Sequence, residues 1–81
     1  MSRNQFAQAL GFSDFEALIR ASESIVKEGD INWYATRLPN GHWISWDDSE
    51  LSLDRVAHFS TRGEAIAFHL GVFAERMRLT T

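Results

Sequence analysis

The chain has no cysteine. That absence excludes disulfides, thiolate zinc sites and cysteine nucleophiles, and it favours an intracellular compartment. No apolar run approaches the roughly 20 residues of a membrane span, and the first residues lack the apolar core of a signal peptide. The expectation is a complete, soluble, cytoplasmic protein without a membrane partner. Basic residues are few as well: Lys and Arg total 8 against 11 Asp and Glu, for a formal net charge of −3. Phosphate-backbone binding relies on clustered Lys and Arg, and no long basic stretch exists. Gly-x-Ser-x-Gly elbows and phosphate-cradling Gly-rich loops are also missing, which removes the commonest local signatures of hydrolases and nucleotide enzymes.

What remains is ordinary globular composition, with 44% hydrophobic and 12% aromatic residues. Eighty-one residues fit one domain, near the lower end of what folds without covalent or metal staples. Charge is unevenly distributed. Residues 31–54 carry Arg37 against Asp47, Asp48, Glu50 and Asp54, whereas residues 55–81 carry Arg55, Arg62, Arg76 and Arg78 against Glu64 and Glu75.

The stretch Ile31 to Trp46 holds all three tryptophans and the single tyrosine. Leu38-Pro39-Asn40-Gly41 divides it. Pro39 pre-sets φ for position i+1 of a turn, Asn40 suits i+2, and Gly41 accepts a positive φ, which together specify a type I turn followed by a G1 bulge. That register puts Arg37 opposite Trp43, Thr36 opposite Ile44, Ala35 opposite Ser45 and Tyr34 opposite Trp46. Alternation along the strands then sends Tyr34, Thr36, Ile44 and Trp46 to one face and Trp33, Ala35, Arg37, Trp43 and Ser45 to the other. The first face is expected to meet the core. The second is expected to be at least partly exposed.

Around the hairpin, Ser2 with Gln5, Ser13 with Glu16 and Thr61 with Glu64 fit capping boxes. Phe6, Ala9 and Leu10 make a short stripe ending at Gly11, so a helix is predicted over 3–10. Phe15, Leu18, Ile19, Ser22, Ile25 and Val26 recur at helical spacing, which predicts a second helix over 14–28 stopped by Gly29. Phe6-Ala7, Leu10-Gly11 and Phe12 match half of a helix-turn-helix pattern. Phe15 and Arg20 break the other half, and Asp14 and Glu16 would repel phosphates, so a helical pair packed on the sheet is the expectation. After an acidic connector, Asp47 to Asp54, Val56-Ala57-His58-Phe59 reads as a third strand. A long helix over about 62–77 follows, with Ile66, Leu70, Phe73 and Met77 on one stripe and Ala65, Phe68 and Val72 on its neighbour. Its apolar arc is wide enough for a central core element or a dimer interface, and Gly71 within it suggests close approach of another backbone.

The fold class expected is therefore α+β in the order α-α-β-β-β-α. A three-stranded antiparallel sheet packs against a long C-terminal helix and an N-terminal helical pair, in one domain of residues 1–81.

The connector lacks EF-hand spacing, and His42, His58 and His69 include no pair at i, i+4, so no metal and no cofactor is expected. A catalytic pocket needs concave walls that a chain of this length seldom supplies beside a core. The reading is therefore non-enzymatic, and an enzyme would need His58 or His69 to converge with a carboxylate. The candidate binding residues are Trp33, Arg37 and Trp43, because Trp and Arg dominate binding energy at protein interfaces, together with Arg55 and Arg62. A cation–π contact of Arg37 with Trp43 is expected. The reading is a small binding or adaptor protein acting through protein–protein contact, as a homodimer, with no small-molecule ligand. The alternative is a nucleic-acid-binding accessory protein using the hairpin with Arg37, Arg55, Arg62, Arg76 and Arg78.

Residues 34–68 supply three strands, a Phe-Ser-Thr-x-x-Glu-Ala run from Phe59 to Ala65, and a helix. That layout resembles the plant AP2 and integrase-arm DNA-binding domains, and the resemblance implies a sheet that carries basic residues to the major groove. Here the sheet carries Arg37 and then an acidic loop. The cysteine-free, self-contained chain also resembles accessory proteins of phages, plasmids and other mobile elements.

Overall fold

The computed structural model describes residues 1–68. Two strands, β2 (Ile31–Arg37) and β3 (Trp43–Asp47), form the hairpin in the expected register: Arg37↔Trp43, Thr36↔Ile44, Ala35↔Ser45 and Tyr34↔Trp46. The turn between them is closed by Gly41 N donating to Leu38 O at 2.9 Å and Leu38 N to His42 O at 2.7 Å. Gly41 takes φ +91°, a region closed to most side chains. Asn40 Oδ1 accepts from His42 N at 3.0 Å, using its side chain to satisfy the turn backbone.

The sheet has four strands rather than three. β1 (Ser22–Glu28) and β4 (Ala57–Phe59) flank the hairpin in an antiparallel meander of order β1-β2-β3-β4. β1 occupies residues expected to be helical. The preceding helix, α2, covers only Phe15–Arg20, and α1 covers Arg3–Ala9. Two physical reasons account for the correction. The Ser22 hydroxyl donates to Leu18 O at 2.7 Å, taking up a carbonyl at the helix end and ending the turn locally. Ile25 and Val26, both β-branched, then favour the pleated surface over a helical turn. The register with β2 slips between Ser24 and Val26. This bulge at Ile25 displaces the alternation by one residue, which is why the strand mimics a helical period.

The caps follow their side chains. Ser2 and Gln5 form a reciprocal box at α1. At α2 the cap is Asp14, whose Oδ1 accepts from Ala17 N at 2.8 Å, instead of the Ser13–Glu16 box. Phe15 N donates to Asn4 Oδ1 at 3.0 Å, which ties the first turn of α2 to α1. The final helix, α3, is described over 62–68. Thr61 Oγ1 accepts from Glu64 N at 3.2 Å and donates to Glu64 Oε1 at 3.0 Å. The remainder of the helix expected over 62–77, with His69, Leu70, Gly71, Val72, Phe73, Arg76, Met77 and Arg78, lies outside the described residues.

The core lies on the face of the sheet that carries Tyr34, Thr36, Ile44 and Trp46, as expected. Phe6, Ala7 and Leu18 from α1 and α2 pack there against Leu38, Ile44 and Trp46, all buried. Trp46 is the hub: its ring meets Phe6 at 5.3 Å, Tyr34 in a stack at 4.7 Å and Phe15 edge-on at 6.3 Å. Each such pair adds about 0.5–1.5 kcal/mol beyond area burial. Phe15 thus belongs to the core, so α2 is a packed element and not a presented recognition helix. Beneath the aromatics runs a directional relay. Trp46 Nε1 donates to Thr36 Oγ1 at 2.8 Å, and the Thr36 and Ser22 hydroxyls lie 2.5 Å apart. Because Ser22 spends its proton on Leu18 O, Thr36 must donate to Ser22. One chain of hydrogen bonds therefore joins β3, β2, β1 and the end of α2.

Candidate functional site

The second face of the sheet carries the residues singled out for binding, arranged in rows by the register. Glu23, Ala35, Ser45 and Ala57 form one row across all four strands. Val26, Trp33 and Asp47 lie on one side of it, and Arg37, Trp43 and Phe59 on the other. The central row is small-chained, a trough between two rows containing tryptophan. α3 covers this face. Arg62 at its start binds Glu23, Phe68 meets the Phe59 ring at 5.4 Å, and Ala65 between them is fully buried.

Both faces therefore have helical cover, and the second, expected to be at least partly exposed, keeps Arg37 exposed and Trp43 half-buried while Trp33, Ala35 and Ser45 are buried. Trp33 is only 8% exposed and is part of the interior, not of a display surface. Ala35 and Ser45 are buried too. The Ser45 hydroxyl is buried without a hydrogen-bond partner among the described residues. The row nearest the hairpin turn is the more open one. There Arg37 is exposed, Trp43 and Phe59 are half-buried, and Phe68 is 42% exposed.

The basic candidates separate. Arg62 makes a bidentate contact with Glu23, Nε to Oε2 at 2.6 Å and Nη2 to Oε1 at 2.8 Å. This hydrogen-bonded guanidinium holds the Glu23 carboxyl below the usual range, against a smaller opposing effect of burial, and Glu23 in turn raises Arg62. Arg55 reaches Asp47 and Glu50, each at 3.4 Å. Asp47 is itself buried, accepting from Ser49 N at 3.0 Å and from the Ser49 hydroxyl. Both arginines are thus committed to internal acids. Arg37 makes no ion pair among the described residues. It pairs with Trp43 in register without the expected cation–π geometry; among the described residues that contact is Arg3 over Phe15 at 5.3 Å.

The acidic connector is ordered by internal bonds. Asp48 accepts from Asn32 N at 2.8 Å and from Asn32 Nδ2 at 3.0 Å, and its own N donates to Asn32 O at 3.1 Å. Tyr34, stacked on Trp46, has its pKa raised, first by burial and then by the charge of Asp48. Among the described residues no group of three or more His, Asp or Glu side chains converges as a metal site. No helix among them is long and apolar enough to cross a membrane. His42 follows the hairpin turn and His58 sits on β4 opposite Ile44, both exposed.

Of the residues singled out for binding, Arg37 and Trp43 thus lie together with at least partial exposure, Trp33 is buried, and Arg55 and Arg62 are ion-paired. Phe59, opposite Trp43, and Phe68, against the Phe59 ring, lie beside them. The available signal for Phe68 was the wide apolar arc expected of the final helix; Phe59 belongs to β4 and had none. Comparison with protein-family models, with curated proteins and with solved structures found no match.

Proposed function

We propose that this chain is a small non-enzymatic binding or adaptor protein that acts through protein–protein contact. Its contact surface is the strip formed by Arg37, Trp43, Phe59 and Phe68. One observation supports this reading above the others: Trp43 and Phe59 are half-buried and Phe68 is 42% exposed, a run of partly open aromatic side chains beside the exposed Arg37. Aromatic side chains with Arg are the residues enriched at the energetic centres of protein interfaces. They supply large contact area at low conformational cost.

The alternative, nucleic-acid binding, draws less support. α1 and α2 occupy one sheet face and α3 the other, so neither is open to lie in a groove. Arg55 and Arg62 would each have to leave an acid to reach a phosphate. The localisation expected from the absence of cysteine is cytoplasmic, and self-association belongs to the same proposal.

The test is cross-linking capture from host cells, with the wild-type chain compared against Arg37→Ala and Phe68→Ala variants of unchanged thermal stability. The reading expects a defined set of proteins held by the wild type and lost from both variants. Retention of the same set by the variants would place the contact elsewhere, and salt-sensitive retention of nucleic acid instead would favour the alternative.

A further inference from the structure

The chain has three asparagines, Asn4, Asn32 and Asn40, and the Cγ of each carboxamide is a latent electrophile. The main-chain nitrogen of the next residue can attack it and close a five-membered imide. The reaction needs that nitrogen unobstructed by a side chain and the carboxamide beside it.

Two of the three are locked. Asn4 lies in α1 with its Oδ1 accepting from Phe15 N at 3.0 Å, and the next nitrogen, Gln5 N, donates to the Ser2 hydroxyl at 3.1 Å. Asn32 lies in β2, donates Nδ2 to Asp48 at 3.0 Å, and is followed by the bulky, buried Trp33.

Asn40 differs on each count. It is exposed in the hairpin turn and is followed by Gly41, where nothing stands within 4 Å of the place a Cβ would occupy. Its Oδ1 accepts from His42 N at 3.0 Å. That bond closes a ring containing both Cγ of Asn40 and Gly41 N, so electrophile and nucleophile are held together. The same N–H sits where negative charge develops on Oδ1 during attack, as an oxyanion donor does. One contact opposes the reaction: Gly41 N donates to Leu38 O at 2.9 Å, so this turn bond must open first. Bonds at exposed loop tips are among those that open most readily in a fold.

We infer that Asn40–Gly41 is a self-modification site, at which Gly41 N closes on Cγ of Asn40, ammonia leaves, and water reopens the imide to a carboxylate. Solvent base takes the Gly41 N–H proton as the new C–N bond forms. Nδ2 leaves with the electron pair of the broken Cγ–Nδ2 bond and takes up a proton from water. Water then adds to either imide carbonyl and breaks its bond to Gly41 N. Opening at Cγ gives an aspartate. Opening at the main-chain carbonyl gives an isoaspartate, whose chain runs through Cβ and Cγ and is one atom longer. Either product makes the formal charge one unit more negative than −3, in the turn that follows the exposed Arg37. The isoaspartate also lengthens the loop that Leu38 N and His42 O close at 2.7 Å. This goes beyond the strip proposed above and does not use it.

The full chain, incubated at mildly alkaline pH and physiological temperature, tests the inference by trypsin mapping and mass spectrometry. An unaged sample is digested alongside. Cleavage after Arg3, Arg20, Lys27, Arg37 and Arg55 puts the asparagines in separate peptides, residues 4–20, 28–37 and 38–55. Conversion in 38–55 is expected to be faster than in the other two by about tenfold or more, as two products of equal mass and different retention. Its rate should rise with pH, because attack requires removal of the Gly41 N–H proton. Asn40→Ser keeps a hydroxyl that can accept from His42 N but has no amide to lose. Isoelectric focusing of that aged variant should show no acidic form. Absence of conversion in 38–55 over several weeks overturns the inference. So does equal conversion at all three asparagines, an aspartate formed without isoaspartate, or an acidic form that persists in Asn40→Ser.

Discussion

Replacing Thr36 with valine deletes the middle hydroxyl of the relay while keeping the side chain's shape. Thr36 is fully buried and Trp46 is 1% exposed, so the indole N–H, which now donates to Thr36 Oγ1 at 2.8 Å, is left in the interior without an acceptor. An unsatisfied buried donor costs about 1–3 kcal/mol, and loss of the Thr36–Ser22 bond adds roughly 0.5–1.5 kcal/mol. The expected destabilisation is therefore about 2–4 kcal/mol. Domains of this size have net stabilities of only about 0.05–0.15 kcal/mol per residue, so the loss is a large fraction of the whole. The midpoint of thermal unfolding should fall by on the order of 10–25 °C. The assay is urea denaturation followed by tryptophan fluorescence, with an unchanged m-value. Thr36→Ser is the control: it keeps the hydroxyl and loses one methyl, at about 1 kcal/mol. A Thr36→Val protein within about 0.5 kcal/mol of wild type, which is the scatter of neutral surface substitutions, would refute the relay. So would one that is more stable than Thr36→Ser.

Four other expectations follow from the same contacts. Ser45→Ala removes a buried hydroxyl that has no partner among the described residues, so urea denaturation should show stability unchanged or higher by up to about 1 kcal/mol. Gly11 has φ +99°, and a Cβ there would stand 3.3 Å from Pro39 Cγ. Gly11→Ala should therefore destabilise by about 1–2 kcal/mol from backbone strain, with some further cost from contact at the hairpin turn. Glu23 has its pKa lowered by the hydrogen bond from Arg62. Its contribution is thus present above the ordinary glutamate range and lost as pH falls through the depressed folded value. Acid unfolding of Glu23→Gln should lack that step. Tyr34 is the single tyrosine and has a raised pKa, so absorbance titration should place its midpoint above 10. The associated stability is full below that and lost as pH rises through the folded value. Asp48→Asn should lower the midpoint only in part, because burial is the larger cause.

The hairpin was legible because Pro39-Asn40-Gly41 admits one turn geometry, and that geometry counts residues across to Trp46 without reference to the rest of the chain. The core face was legible for the same reason. Residues 22–28 were misread because a bulged strand and a helix share the spacing of Ser22, Ile25 and Val26; only pairing with β2 separates them, and that pairing is a tertiary fact. The fourth strand followed from this error. Trp33 looked like a display residue because nothing local says that α3 returns over it. The fates of Arg55 and Arg62 were hidden in distance along the chain: Glu23 is 39 residues from Arg62. Composition near Arg62 shows a basic residue, but not that its charge is already answered. Phe59 and Phe68 belong to different elements, and only the fold makes them neighbours.

The most direct test of the account is the comparison of captured proteins between wild type and Phe68→Ala at equal thermal stability. Phe68 is 42% exposed and meets the Phe59 ring, so its removal reports on the strip itself. The account expects partner proteins that cross-link to the wild type to disappear from the variant, and from Arg37→Ala as well. An identical protein set on all three chains would contradict it.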